Sequence, residues 1–99
     1  MRPTCRLTAR ARADIDGIAV WIATGGSRAR AISFTQELEA RCVQLVDFPE
    51  AARLRPEYGA GVRVVPFGRF LILYRWQAER RTVVVSRIVG AAQRPGPVA

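Results

Sequence analysis

The sequence predicts an α+β fold, a two-layer sandwich in the order β-α-α-β-β-β with a helical hairpin packed on a small antiparallel sheet. Three observations predict it. Apolar residues recur at helical spacing in two stretches joined by Gly25-Gly26-Ser27. A short alternating segment, Thr4–Leu7, precedes them. Three runs rich in β-branched and aromatic residues follow, separated by turn residues.

Thr4–Leu7 reads as the first strand, and Thr8 then offers an N-cap hydroxyl. Ala11, Ile15, Ile18 and Ile22 share one face of the helix that follows, which ends at Gly25-Gly26. Asp14 and Asp16 lie in its first half, where carboxylates suit the positive helix end. Ser27 caps a second helix predicted to run to about Asp47, with Ala31, Phe34, Leu38, Cys42 and Leu45 inward and Glu37, Glu39 and Arg41 outward. Pro49 stops it.

Glu50 to Gly61 is a loop. Strands are predicted at Val62–Val65, Arg69–Trp76 and Thr82–Val89, joined by a tight turn at Phe67-Gly68 and a polar turn around Gln77–Arg81. Residues 1–90 form a single domain on this reading. The stretch 91–99 forms a flexible C-terminal tail.

The 99 residues allow one domain with a small core. No run approaches the roughly 18 apolar residues a membrane span needs, and the basic start lacks the apolar core of a secretion signal. The cytoplasm is the expected location. Cys5 and Cys42 match neither a disulfide framework nor a zinc pattern and read as reduced apolar fillers.

The formal charge is +8, and all sixteen basic residues are arginine, with no lysine and no histidine. Arginine clamps anions but does not shuttle protons. Without histidine, imidazole metal ligation and Ser/His/Asp or Cys/His catalysis are excluded, so neither a metal nor a cofactor is expected. A general base would have to be Asp, Glu, Tyr or Cys. Glu57, in the loop, and Tyr74, in a strand, are the candidates; a solvated loop carboxylate and a core tyrosine are their plainer readings.

The run Phe70–Tyr74 is apolar at every position, as is Val83–Val85. A strand with one wet face should alternate. Either loops and tail curl over the far face of the sheet, or a partner covers it. Arg69 and Arg75 have the parity of Leu71 and Leu73, opposite to Phe70, Ile72 and Tyr74. With the latter three under the helices, the two arginines point away from them. An arginine field on an open sheet suits phosphate or carboxylate recognition; a solvated basic surface is the other reading.

Several spaced motifs recur in order along most of the chain. They are Ala11-x-x-Asp14-Ile15-x-x-Ile18, Ala31-x-x-Phe34-x-x-x-Leu38 with Leu45-x-x-x-Pro49, Arg55-Pro56-Glu57-x-x-x-Gly61-Val62-Arg63, Gly68-Arg69-Phe70-x-Ile72-x-Tyr74-Arg75 and Arg87-Ile88-Val89-Gly90. Together they resemble the ParE branch of the ParE/RelE toxin superfamily. The resemblance implies a β-α-α fold followed by an antiparallel meander, with the last strand beside the first. It also implies a cognate ParD-like antitoxin that wraps the toxin in a hetero-oligomer.

RelE-like members of that superfamily cut mRNA on the ribosome. ParE-like members are associated with poisoning DNA gyrase. Relatives often carry a His-Gly pair where this chain has Val89-Gly90, and the tail offers only Gln93 and Arg94 among polar side chains. The resemblance therefore implies a gyrase-binding toxin without chemistry of its own, with no membrane partner and no sequence-specific DNA binding by the chain alone. The alternatives are a ribosome-dependent endoribonuclease using Glu57 or Tyr74, and a degenerate, non-toxic module of the antitoxin complex. Loss of the His-Gly pair also leaves a weakened copy open. Expected target contacts are Arg63, Arg69, Arg75, Arg87 and Arg94. Expected antitoxin contacts are Leu71, Leu73, Trp76, Val83 and Val85.

Overall fold

A computed structural model describes residues 2–92. Its elements are β1 (Thr4–Leu7), α1 (Ala9–Gly25), α2 (Arg28–Gln44), β2 (Arg63–Phe67), β3 (Phe70–Gln77) and β4 (Thr82–Gly90), with single 3-10 turns at Pro56–Tyr58 and Ala78–Arg80. The strands form one sheet in the order β1-β4-β3-β2. The pairs β2–β3 and β3–β4 are antiparallel, and β1 runs parallel to β4, so the sheet is mixed. The α+β class and element order are as the sequence predicts.

Both predicted caps form. The Thr8 hydroxyl accepts from Ala11 N–H at 3.0 Å and the Ser27 hydroxyl from Arg30 N–H at 3.0 Å. The second helix ends earlier than expected. At Leu45, Val46 and Asp47 the N–H groups bond three residues back, to Cys42, Val43 and Gln44, so the chain leaves the helix through tightened turns before Pro49. In the β2–β3 hairpin, Phe67 pairs with Phe70, leaving Gly68 and Arg69 as a two-residue loop. Gly68 has φ 59°, which glycine adopts without cost.

The core lies between the helical hairpin and one face of the sheet. It contains Ala11, Ile15 and Ile18 of α1, Leu38 and Cys42 of α2, Leu45, and Val65, Ile72, Tyr74, Val83, Val85 and Ile88 of the sheet. Phe34 of α2 tilts against both Phe67 and Phe70, at ring-centre distances of 5.4 and 5.6 Å, and so locks the hairpin end under the helix.

β1 is shorter than the strand it pairs with. It covers β4 only from Thr82 to Val85, and the rest of that edge has no neighbouring strand. The start of α1 serves in its place. Thr8 N–H donates to Val85 O, and the Thr8 hydroxyl donates to Ser86 O at 3.1 Å. The Asp14 carboxylate then accepts from Ile88 N–H at 2.9 Å and from Arg87 Nε at 2.7 Å. Ser86 occupies a bulge between the Tyr74–Val85 and Leu73–Arg87 pairs, and its hydroxyl donates to Leu73 O. Asp14 therefore binds the sheet edge rather than complementing the helix dipole, since it lies beyond the first turn.

Asp14→Ala removes the acceptor of a half-buried strand N–H as well as an ion pair, and should cost about 2 kcal/mol. Arg87→Ala leaves the Ile88 bond in place and should cost about 1 kcal/mol. Denaturant midpoints at unchanged slope measure both; equal losses would show that the ion pair alone matters.

Candidate functional site

Each strand carries one arginine: Arg6, Arg63, Arg75 and Arg87. Arg63 was expected on the open face, but it pairs directly with Tyr74, and cross-strand partners share a face. It therefore lies on the helix side, with its side chain only 16% exposed. Its Nη1 donates to Glu50 O at 3.1 Å and Ala52 O at 2.7 Å, while the Tyr74 hydroxyl donates to Pro49 O at 2.8 Å. The two side chains fix the backbone that leaves α2. Arg63 anchors the fold.

Arg75 does lie on the face away from the helices, opposite Val84. Its Nε donates to Ala60 O at 2.9 Å. Gly59 makes room for it: a Cβ there would stand 3.1 Å from Arg75 Nη2 and 3.2 Å from the Val62 side chain, and φ is 134°. Arg69 is exposed in the hairpin loop. Arg87 is held by Asp14, whose hydrogen bond raises the guanidinium above its ordinary pKa. Arg94 lies outside the described residues.

The apolar contact set divides. Leu71 is half-buried and Leu73 is 6% exposed, both on the far face as parity requires. Val83 and Val85 were expected beside them but have 0% exposure. Their partners are Trp76 and Tyr74, so all four lie under the helices. The parity of β4 relative to β3 depends on the register, and neighbouring apolar residues within each strand conceal it. On the far face Leu73 and Val84 are already shielded within the chain, at 6% and 7% exposure. The expected uncovered apolar strand face is therefore largely closed.

The exposed apolar surface is elsewhere. Val20, Trp21, Ile32, Val43, Phe48 and Leu54 are each more than half exposed. Val20 and Ile32, with Ala19, Ala23 and Ala31, line a groove along the outer side of the helical hairpin, edged by Arg28. Sequence reasoning missed this surface. The available signal was that Val20, Trp21 and Ile32 fall off the core stripes of their helices.

Neither candidate base is disposed for proton abstraction. Tyr74 has 0% exposure, donates its proton to Pro49 O, and has its pKa raised by burial. Glu57 is bound by Arg55 Nε at 2.7 Å, and that hydrogen bond lowers its pKa below the usual carboxylate value. Cys42 has 0% exposure, and burial first, then the nearby Cys5 and Glu39, push its thiol up to about 12. Among the described residues no group of His, Cys, Asp and Glu could hold a metal ion, and no helix is long and apolar enough to cross a membrane.

The family model described as the ParE toxin of the type II toxin–antitoxin system parDE matches residues 5–95. No curated protein sequence matches the chain. Among solved structures, it is similar to a chain of the chromosomal ParDE toxin–antitoxin system from P. aeruginosa, at 20% identity over 90% of this chain and 96% of that chain, with a TM-score of 0.78. It is similar to a chain of the RelBE2 toxin–antitoxin complex from Mycobacterium tuberculosis, at 26% identity over 91% and 99% of the two chains, with a TM-score of 0.58. A chain of the intact E. coli RelBE complex gives 19% identity, coverage of 93% and 99%, and a TM-score of 0.63.

Arg63→Ala strands two loop carbonyls and should cost about 2 kcal/mol, whereas Arg69→Ala should change stability by less than about 0.5 kcal/mol. Thermal or denaturant unfolding separates them, and comparable losses would contradict the placement. A second expectation concerns alkaline pH. The folded chain keeps Cys42 a thiol up to about 12, while the unfolded thiol ionises near 9.0. This stabilisation is complete below 9.0 and is lost as pH rises from there toward 12. Unfolding midpoints at about pH 8 and about pH 10 should therefore fall less in Cys42→Ala than in the native chain, and parallel falls would contradict the burial of the thiol.

Proposed function

We propose, from the premise that the chain belongs to the ParE toxin family of type II toxin–antitoxin systems, that it poisons DNA gyrase by binding and is silenced by a cognate, ParD-like antitoxin. The observation that carries binding over chemistry is the state of Tyr74 and Glu57. The phenol is enclosed and donates to Pro49 O, and the carboxylate is tied to Arg55 with its basicity reduced. Attack by an RNA 2′-hydroxyl requires a proton acceptor. The arginines stabilise charge but do not accept the proton.

The antitoxin half of the proposal is supported by the solved ParDE and RelBE systems whose chains share this fold. The exposed groove of Val20 and Ile32 beside Arg28 gives such a partner an apolar seat with a basic edge. The side that bears this groove is opposite the sheet face that carries Arg75. One partner on the helices therefore leaves that sheet face uncovered.

The test is a gyrase supercoiling assay with the purified chain. Supercoiling should be lost and cleaved DNA should accumulate, with relief when the antitoxin is added first. Absence of both effects at molar excess, or mRNA cuts in a translation extract that vanish in Glu57→Gln, would overturn the proposal.

A further inference from the structure

Charge is segregated between the layers. The strands contain arginines and no acid, whereas Asp14, Asp16, Glu37 and Glu39 are on the helices and the remaining acids are in the connections. Of the strand arginines, Arg63 is fixed on loop carbonyls and Arg87 on Asp14. Arg6 and Arg75 remain, and the register brings them together. Arg6 pairs with Val84 from one side and Arg75 from the other, so the three form one row on the far face. Two strand spacings put the two arginine Cα atoms about 10 Å apart.

Arg6 is exposed, and among the described residues its side chain has no hydrogen bond or ion pair. The bond from Arg75 Nε to Ala60 O aims that guanidinium and leaves its terminal nitrogens as donors. The next row along the sheet, Thr4–Thr82–Gln77, is uncharged. The face is thus a platform with two cations, one of them held in orientation, and no carboxylate in its strands.

Three features select the occupant. Leu73 and Val84, the floor beside the arginines, are 6% and 7% exposed, so a protein partner finds no apolar anchor there. The row of Arg6, Val84 and Arg75 and its neighbours Leu73, Leu71 and Val64 include no aromatic ring, so unstacked bases of a single strand have no platform. The Thr82 hydroxyl donates to Arg80 O and the Thr4 hydroxyl to Thr82, so neither has a proton left to donate to a ribose 2′-hydroxyl. A DNA duplex, which can be gripped through its phosphates without stacked bases, a 2′-hydroxyl or buried hydrocarbon, meets all three conditions.

We propose that the far face of the sheet binds the phosphate backbone of duplex DNA through Arg6 and Arg75, without reading its sequence. This goes beyond the gyrase reading and does not depend on it: a chain that leaves supercoiling untouched can still bind duplex, and the reverse. Binding through two phosphate contacts is weak, salt-dependent with a slope of about −2 and indifferent to base order.

The experiment is fluorescence anisotropy of a short labelled DNA duplex against the full-length chain across a salt series. The expected result is equal binding of two unrelated sequences, with the slope of log K against log salt shallower by about 2 in the double variant Arg6→Gln/Arg75→Gln. Arg28→Gln/Arg30→Gln on α2 removes the same charge from the other layer and should leave the slope unchanged. Arg6→Gln alone breaks no internal bond and should lower the slope by about 1 even if loss of the Ala60 contact perturbs the double variant. Equal losses from the two double variants would reduce the effect to bulk charge and overturn the proposal. Tighter binding of an RNA duplex or an acidic peptide, with the same dependence on Arg6 and Arg75, would also overturn it.

Discussion

The length mismatch between β1 and β4 is the constraint on which the arrangement of this chain depends. β4 extends five residues past its last pairing with β1, and backbone donors left unpaired at a half-buried edge are costly. α1 resolves this with side chains in place of a strand. Thr8 uses one hydroxyl twice, accepting from its own helix and donating to Ser86 O, and Asp14 accepts from Ile88 N–H. Those bonds set where α1 crosses the sheet. The helix position in turn places Ile15 and Ile18 over β4 and its neighbours, and α2 follows through the short Gly-Gly-Ser connection.

The same geometry divides the arginines. In an all-arginine chain every cation looks alike in sequence, yet their roles here differ with their surroundings. Arg63 fixes the loop after α2, Arg87 joins the Asp14 clamp, and Arg75 is oriented by a carbonyl while still facing outward. A buried guanidinium held by carbonyls is part of the scaffold. An exposed one keeps its terminal nitrogens available to a ligand. On the sheet's far face, Arg6 and Arg75 share one row across β1, β4 and β3.

The two layers consequently offer two chemically different surfaces. The helical side presents Val20, Trp21 and Ile32, apolar and edged by arginine, and suits a protein segment that buries hydrocarbon. The sheet side presents cations over a floor that is already closed, and suits a polyanion. Such a division lets a regulator occupy the helices without first displacing whatever meets the sheet.

By itself the sequence determined the element order, both helix caps, the inward stripes of α1 and α2 and the outward parity of Arg75, because each follows from a local periodicity or a single side-chain bond. It also carried the family through the order and spacing of its motifs. Only the tertiary structure decided which face Val83, Val85 and Arg63 occupy. Strand parity is fixed only relative to a partner strand, and a bulge at Ser86 resets it partway along β4. Likewise, Asp14 reads as a helix-end carboxylate until a strand 74 residues away supplies the N–H it accepts. Helical patterns repeat within a few residues and are legible one at a time. Sheet faces and edge bonds are agreements between distant segments, and they exist only once the chain has brought those segments together.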